Sequence, residues 1–97
     1  MTNINKFQTL YDMHSHKAEK VEKLLKDHLP HSYTGEVIER AKKQGIKTTS
    51  QVVRNVRNGF GPSNILIFSI LLEVAKEHKE AAMAAQKKIE NLIKTTA

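Results

Sequence analysis

The side chains richest in directional hydrogen-bonding groups cluster in one short stretch of this 97-residue chain: Thr48, Thr49, Ser50, Gln51, Arg54, Asn55, Arg57 and Asn58. A Gln or Asn amide donates and accepts side by side, and an Arg guanidinium presents a planar fork of donors. Such groups pair bidentately with flat polar edges, Gln or Asn with adenine and Arg with guanine in the major groove of duplex DNA. Lys43 and Lys47 lie just ahead of the stretch and can supply charge to phosphates, as Tyr33 and Thr34 can supply hydroxyls. Any one of these side chains could belong to an ordinary solvated helix face, and Tyr33 suits packing at a helix start equally well. Their grouping is what points to a polyanionic ligand.

The charge pattern agrees. Of the 16 Lys and Arg, six (Arg40, Lys42, Lys43, Lys47, Arg54 and Arg57) fall within residues 40–72, where there is no Asp or Glu. The remaining 10 basic residues are balanced by 10 acidic ones, so the whole formal charge of +6 belongs to that stretch. A local excess attracts a polyanion far more strongly than scattered, compensated charge.

Other chemistries find little to work with. The chain has no Cys, hence neither a disulfide framework nor a thiolate nucleophile or ligand, and its core must rest on apolar packing. The five histidines, at 14, 16, 28, 31 and 78, form no His-Glu-x-x-His or comparable set, so no metal or other cofactor is expected. There is no glycine-rich phosphate loop and no Gly-x-Ser-x-Gly elbow, and enzymatic activity is not expected. The N-terminal residues are polar where a secretory signal has its apolar centre, and the densest apolar run, 65–72, is too short to span a bilayer. A cytoplasmic protein without a membrane partner is expected.

The elements that must position these residues read as helices throughout. Phe7, Leu10, Tyr11, Ala18, Val21, Leu24, Leu25 and Leu29 recur at three- and four-residue steps, predicting an amphipathic helix over 4–29, broken near Ser15 and ended by Pro30. A second helix begins near Tyr33 or Thr34, with Thr34 as N-cap, turns Val37, Ile38 and Ala41 inward and closes at Gly45. A third runs over about 49–58, capped by Thr49 and ended by Gly59, with Val52, Val53 and Val56 as its core stripe. After the Gly59-Phe60-Gly61-Pro62 turn, Ser63 or Asn64 caps a long last helix whose first half, 65–74, is apolar nearly all round and should run through the core.

Two short helices joined by a glycine-bearing turn, the second rich in Gln, Arg and Asn, make a helix-turn-helix unit. The expected fold is all-α, one compact domain over 1–97 with its core at about 20–79 and helical extensions at both ends. Residues from about 24 to 79 resemble the lambda-repressor/Cro-type helix-turn-helix family, especially the small repressor-like proteins of phages and Bacteroidetes. The resemblance is carried by Leu29-Pro30-His31-Ser32-Tyr33, by Val52-Val53-Arg54-Asn55-Val56-Arg57-Asn58-Gly59, and by the helix that follows over 65–78. The turn Ile46-Lys47-Thr48-Thr49 is about two residues longer than that family's. The resemblance implies a five-helix DNA-binding fold whose third helix enters the major groove, and a transcriptional regulator or repressor of phage or bacterial type. The rival function is a small protein-interaction module, an inhibitor or adaptor that meets an acidic protein surface.

The last helix carries a second pattern. Leu71, Ala75, His78, Ala82, Ala85, Ile89 and Leu92 follow alternating four- and three-residue steps, the spacing of a coiled-coil seam. Either the N-terminal helix, with Phe7, Leu10, Tyr11 and Met13, or the same helix of a second copy can cover it. A homodimer through the C-terminal helix is the favoured expectation, because two joined reading heads gain affinity and specificity.

Overall fold

A computed structural model describes residues 6–96, which form five α-helices and, among the described residues, no strand: α1 Lys6–Leu10, α2 Ser15–His28, α3 Tyr33–Lys43, α4 Ser50–Asn58 and α5 Ile65–Thr96. The expected first helix is thus two. Its anticipated start at Ile4 lies outside the described residues, and its break falls at 11–14, where Asp12 takes a left-handed conformation with φ 50°. A short polar side chain tolerates that conformation. The amide of Met13 donates to the Gln8 carbonyl at 3.2 Å, closing α1 so that the chain doubles back. The reversal lays α1 against the start of α5: the Phe7 and Phe68 rings lie 5.2 Å apart, and Tyr11 stacks on Phe68 at 4.0 Å. The Asn64 amide donates to the Tyr11 hydroxyl at 3.3 Å, while the Asn64 side chain accepts from the Ile67 amide at 3.2 Å. Of the two expected caps for the last helix, Asn64 is therefore the one used.

The connections follow the breakers. Leu29, ahead of Pro30, is extended at φ −74° and ψ 129°, the geometry imposed on a residue before proline. Helix α3 begins at Tyr33, with Ser32 at the cap position and Thr34 already inside the first turn. The expected capping by Thr34 is thus displaced, because the Tyr33 amide bonds back to the Pro30 carbonyl at 3.1 Å and starts the helix earlier. At the other end Gly45 adopts φ 76°, and the amides of Gly45 and Ile46 return to the carbonyls of Lys42 and Ala41. That double return is the Schellman closure, which favours a residue without a Cβ.

The core is built from one face of each helix. Phe7, Ala18, Leu25, Val37, Ala41, Val53 and Val56 surround Ile67, Phe68, Ile70, Leu71, Val74 and Ala75 of α5. Helices α2, α3 and α4 all pack on α5, and α4 also packs on α3. The first half of α5 is not buried all round, since Ile65 and Leu66 are exposed. They precede the level at which α2 and α3 close around the helix.

Polar contacts tie these layers together at the rim. Arg40 on α3 bonds both Glu36 and Glu77, and His78 Nε2 lies 3.1 Å from Glu36, so α3 is clipped to α5. The guanidinium of Arg40 holds the Glu77 carboxyl below its ordinary range, chiefly by direct hydrogen bonding. Arg57 on α4 reaches Glu22 on α2 at 3.5 Å. Beyond His78, α5 leaves this body: its residues 79–95 are all exposed.

Candidate nucleic-acid interface

Helix α4 divides into two faces because its apolar residues sit at helical spacing. Val53 and Val56 are buried in the core, and the opposite side presents Gln51, Arg54 and Asn58 to solvent, with Ser50 and Asn55 half-buried beside them. The anticipated third core residue, Val52, is 38% exposed. At about 100° per residue, a nine-residue helix that faces inward through Val53 and Val56 turns Val52 to the edge of the contact. It borders a cleft lined with Ile46, Thr49, Asn64 and Ile67.

Both ends of α4 are fixed. Thr49, extended at φ −123° and ψ 163°, accepts the Val52 amide at its side chain at 3.3 Å, as expected of the N-cap. At the C-terminus Gly59 has φ 74°, and a Cβ there would stand 2.7 Å from the Lys6 Cβ. The position therefore needs glycine twice over, for its backbone and for the passage of α1. The Lys6 amine donates to the Asn58 carbonyl at 3.4 Å and lies 4.0 Å from the Phe60 ring centroid. A cation at a helix C-terminus meets the negative end of the macrodipole. Nothing local in the sequence marks Lys6, which is 52 residues from Asn58.

The polar face is already organised. Gln51 Nε2 donates to Asn55 Oδ1 at 3.0 Å, and Arg54 donates to Ser50 Oγ at 3.4 Å. These pairs span one helical turn and hold long side chains against the helix in defined rotamers. An amide pair of this kind still offers an acceptor on Gln51 and donors on Asn55 to an external edge.

The other sequence-predicted residues divide. Lys43 and Lys47 are exposed, as is Lys42, and among the described residues none of the three has a carboxylate within ion-pair distance. Arg57 is different: its side chain is only 17% exposed and it is engaged in the α2 contact with Glu22, apart from the exposed polar face of α4. Arg40 is likewise occupied by Glu36 and Glu77. The acid-free stretch of sequence is thus not acid-free in space, because its compensating carboxylates come from 36, 22 and 77. Tyr33 packs against the core and lines a cleft with Leu25, Leu29, Pro30 and Arg57, a packing position. Thr34 is half-buried in the first turn of α3. The Thr48 hydroxyl is buried without a hydrogen-bond partner, which turns it away from the exposed face.

What remains at the surface is a helix tip and face bearing Ser50, Gln51, Arg54, Asn55 and Asn58, preceded along the chain by Lys42, Lys43 and Lys47. Among the described residues no group of three metal-ligating side chains converges, and no helix is long and apolar enough to cross a membrane. No family model matches the chain, and comparison with curated proteins and with solved structures finds no match.

Proposed function

We propose that the protein binds double-stranded DNA, with α3 and α4 acting as a helix-turn-helix and α4 lying in the major groove. The observation that carries this reading is the division of α4, with two valines locked in the core and an amide and guanidinium face outside. A helix held only from behind can enter a groove about 12 Å wide and about 8.5 Å deep without disturbing its own packing. Gln51, Arg54 and Asn55 read base edges, while Lys42, Lys43 and Lys47 neutralise phosphates and set the register. Control of transcription, and repression in particular, follows from the resemblance to repressor-type helix-turn-helix proteins.

Exposed Val52, Phe60, Ile65 and Leu66 favour a second reading, in which a protein partner covers these side chains. Titration of labelled random duplex at several salt concentrations, followed by selection of enriched sequences, decides between them. Binding that weakens steeply with salt and yields a motif supports the DNA reading. A flat response with no enriched motif leaves the protein partner.

A further inference from the structure

Residues 79–95 extend α5 beyond the body as an arm about 25 Å long. In proteins most helical stability comes from packing of an apolar face, and a lone solvated helix gains little of it. Yet the arm carries Met83, Ile89, Leu92 and Ile93, each more than half exposed. The helix that could have covered it from within the chain is committed elsewhere, since α1 lies on Phe68, more than ten residues earlier on α5.

We propose that the arm pairs antiparallel with the arm of a second copy, Ala82 opposite the partner's Leu92 and Ala85 opposite the partner's Ile89, about a two-fold axis level with Lys87. Size complementarity favours this register. The seam is small at Ala82 and Ala85 and large at Ile89 and Leu92, so antiparallel pairing seats every large side chain against a small one. A parallel pairing would stack alanine on alanine, leaving voids beside crowded isoleucine and leucine layers.

Sterics exclude the parallel arrangement independently. The same seam continues into the body through Leu71 and Ala75, which are fully buried in the core shared with α2 and α3. In a parallel pair, those covering helices of both copies would hold the two α5 axes about 30 Å apart at Ala75, whereas paired helices approach to about 8–10 Å. The roughly 10 Å of helix between Ala75 and Ala82 cannot close that gap. In the antiparallel pair only the tip of the partner's arm reaches the body. The partner's Ile93 then comes level with Ala81 and the partner's Thr95 level with Lys79, beside a cleft that contains Leu24 and His28 of α2.

The seam is about 25 Å long and about 10 Å wide, which amounts to a few hundred Å² per copy against roughly 800 Å² per partner in a standard stable interface. The dimer is therefore reversible, forming between about 10 μM and about 1 mM. Its flanks carry Lys79 and Lys88 with no acid at the positions that adjoin the seam. Added salt screens that repulsion and strengthens the dimer, the opposite of its effect on DNA binding.

Sedimentation of the intact chain as a function of concentration and salt, without DNA, tests the association separately from the proposed DNA activity. Cysteine trapping tests its geometry, because the natural chain has no Cys. Ala82→Cys and Leu92→Cys chains, mixed and oxidised, should yield the mixed disulfide in about tenfold excess over either homodisulfide. Ile89→Lys should weaken the dimer by about tenfold or more and leave the melting of the body unchanged. A chain that stays monomeric to about 1 mM, homodisulfides in excess, or a dimer indifferent to Ile89→Lys would each overturn the proposal.

Discussion

Replacing single basic residues and measuring how DNA affinity varies with salt separates the cations that can reach phosphate from those the fold has already used. Each phosphate neutralised on B-form DNA contributes about −0.9 to the slope of log affinity against log salt. If all six basic residues of 40–72 contributed, the slope would be about −5.4, and affinity would fall by about 1,800-fold between 50 and 200 mM salt. Arg40 and Arg57 are held by Glu36, Glu77 and Glu22, and Arg54 is assigned to base edges, which leaves Lys42, Lys43 and Lys47 for phosphate. Three contacts give a slope of about −2.7 and a fall of about 40-fold over the same range. Fluorescence anisotropy with a labelled duplex of fixed length resolves the two values. Lys43→Ala and Lys47→Ala should each flatten the slope by about 0.9, similarly for all sequences, whereas Arg40→Ala should leave it unchanged. A slope near zero would refute DNA binding. An equal response to Arg40→Ala would refute the partition of the charges.

Further outcomes follow from the same contacts. Gln51→Ala and Arg54→Ala should each remove about 1–3 kcal/mol of preference for the correct base, visible as a relaxed motif in selection, with the melting temperature little changed. Val53→Ala, which opens the core behind them, should instead cost about 2 kcal/mol in denaturant unfolding. Gly59→Ala should destabilise by more than about 1 kcal/mol, since φ 74° is strained for alanine and the new Cβ would meet Lys6; an unchanged unfolding midpoint would contradict that reading of the turn. Arg40 lowers the pKa of Glu77, so the pair's contribution is complete above the ordinary carboxylate value of 4.5 and is lost as pH falls through the lower folded-state value. Glu77→Gln should accordingly lower the melting temperature slightly at neutral pH and not below the folded-state value; a difference that persisted in strong acid would contradict the assignment.

The elements that carry the candidate interface were legible because their signals are local. Thr49 and Gly59 mark the ends of α4, and the spacing of Val53 and Val56 identifies its inner face within a few residues. Contacts that join distant parts of the chain left no such trace. Glu77 is 37 residues from Arg40, so charge counted along the chain overstated what the surface offers. Lys6 arrives at the end of α4 only because Asp12 reverses the chain between α1 and α2. Val52 shows the limit of periodicity: in so short a helix a residue at the edge of the stripe can fall on either side. The seam of α5 was visible as a pattern, but only the burial of Leu71 and Ala75 shows where the body stops using it.

The proposed binding mode requires α4 to present its polar face to the DNA. Its most direct test is amide chemical-shift mapping by nuclear magnetic resonance as a duplex containing a selected motif is added to the labelled protein at low salt. The largest shifts are expected at residues 42–58, with side-chain amide signals of Gln51 and Asn55 among them, and little change along 79–95. Shifts concentrated on α2 or on the arm, with α4 unaffected at saturation, would contradict it.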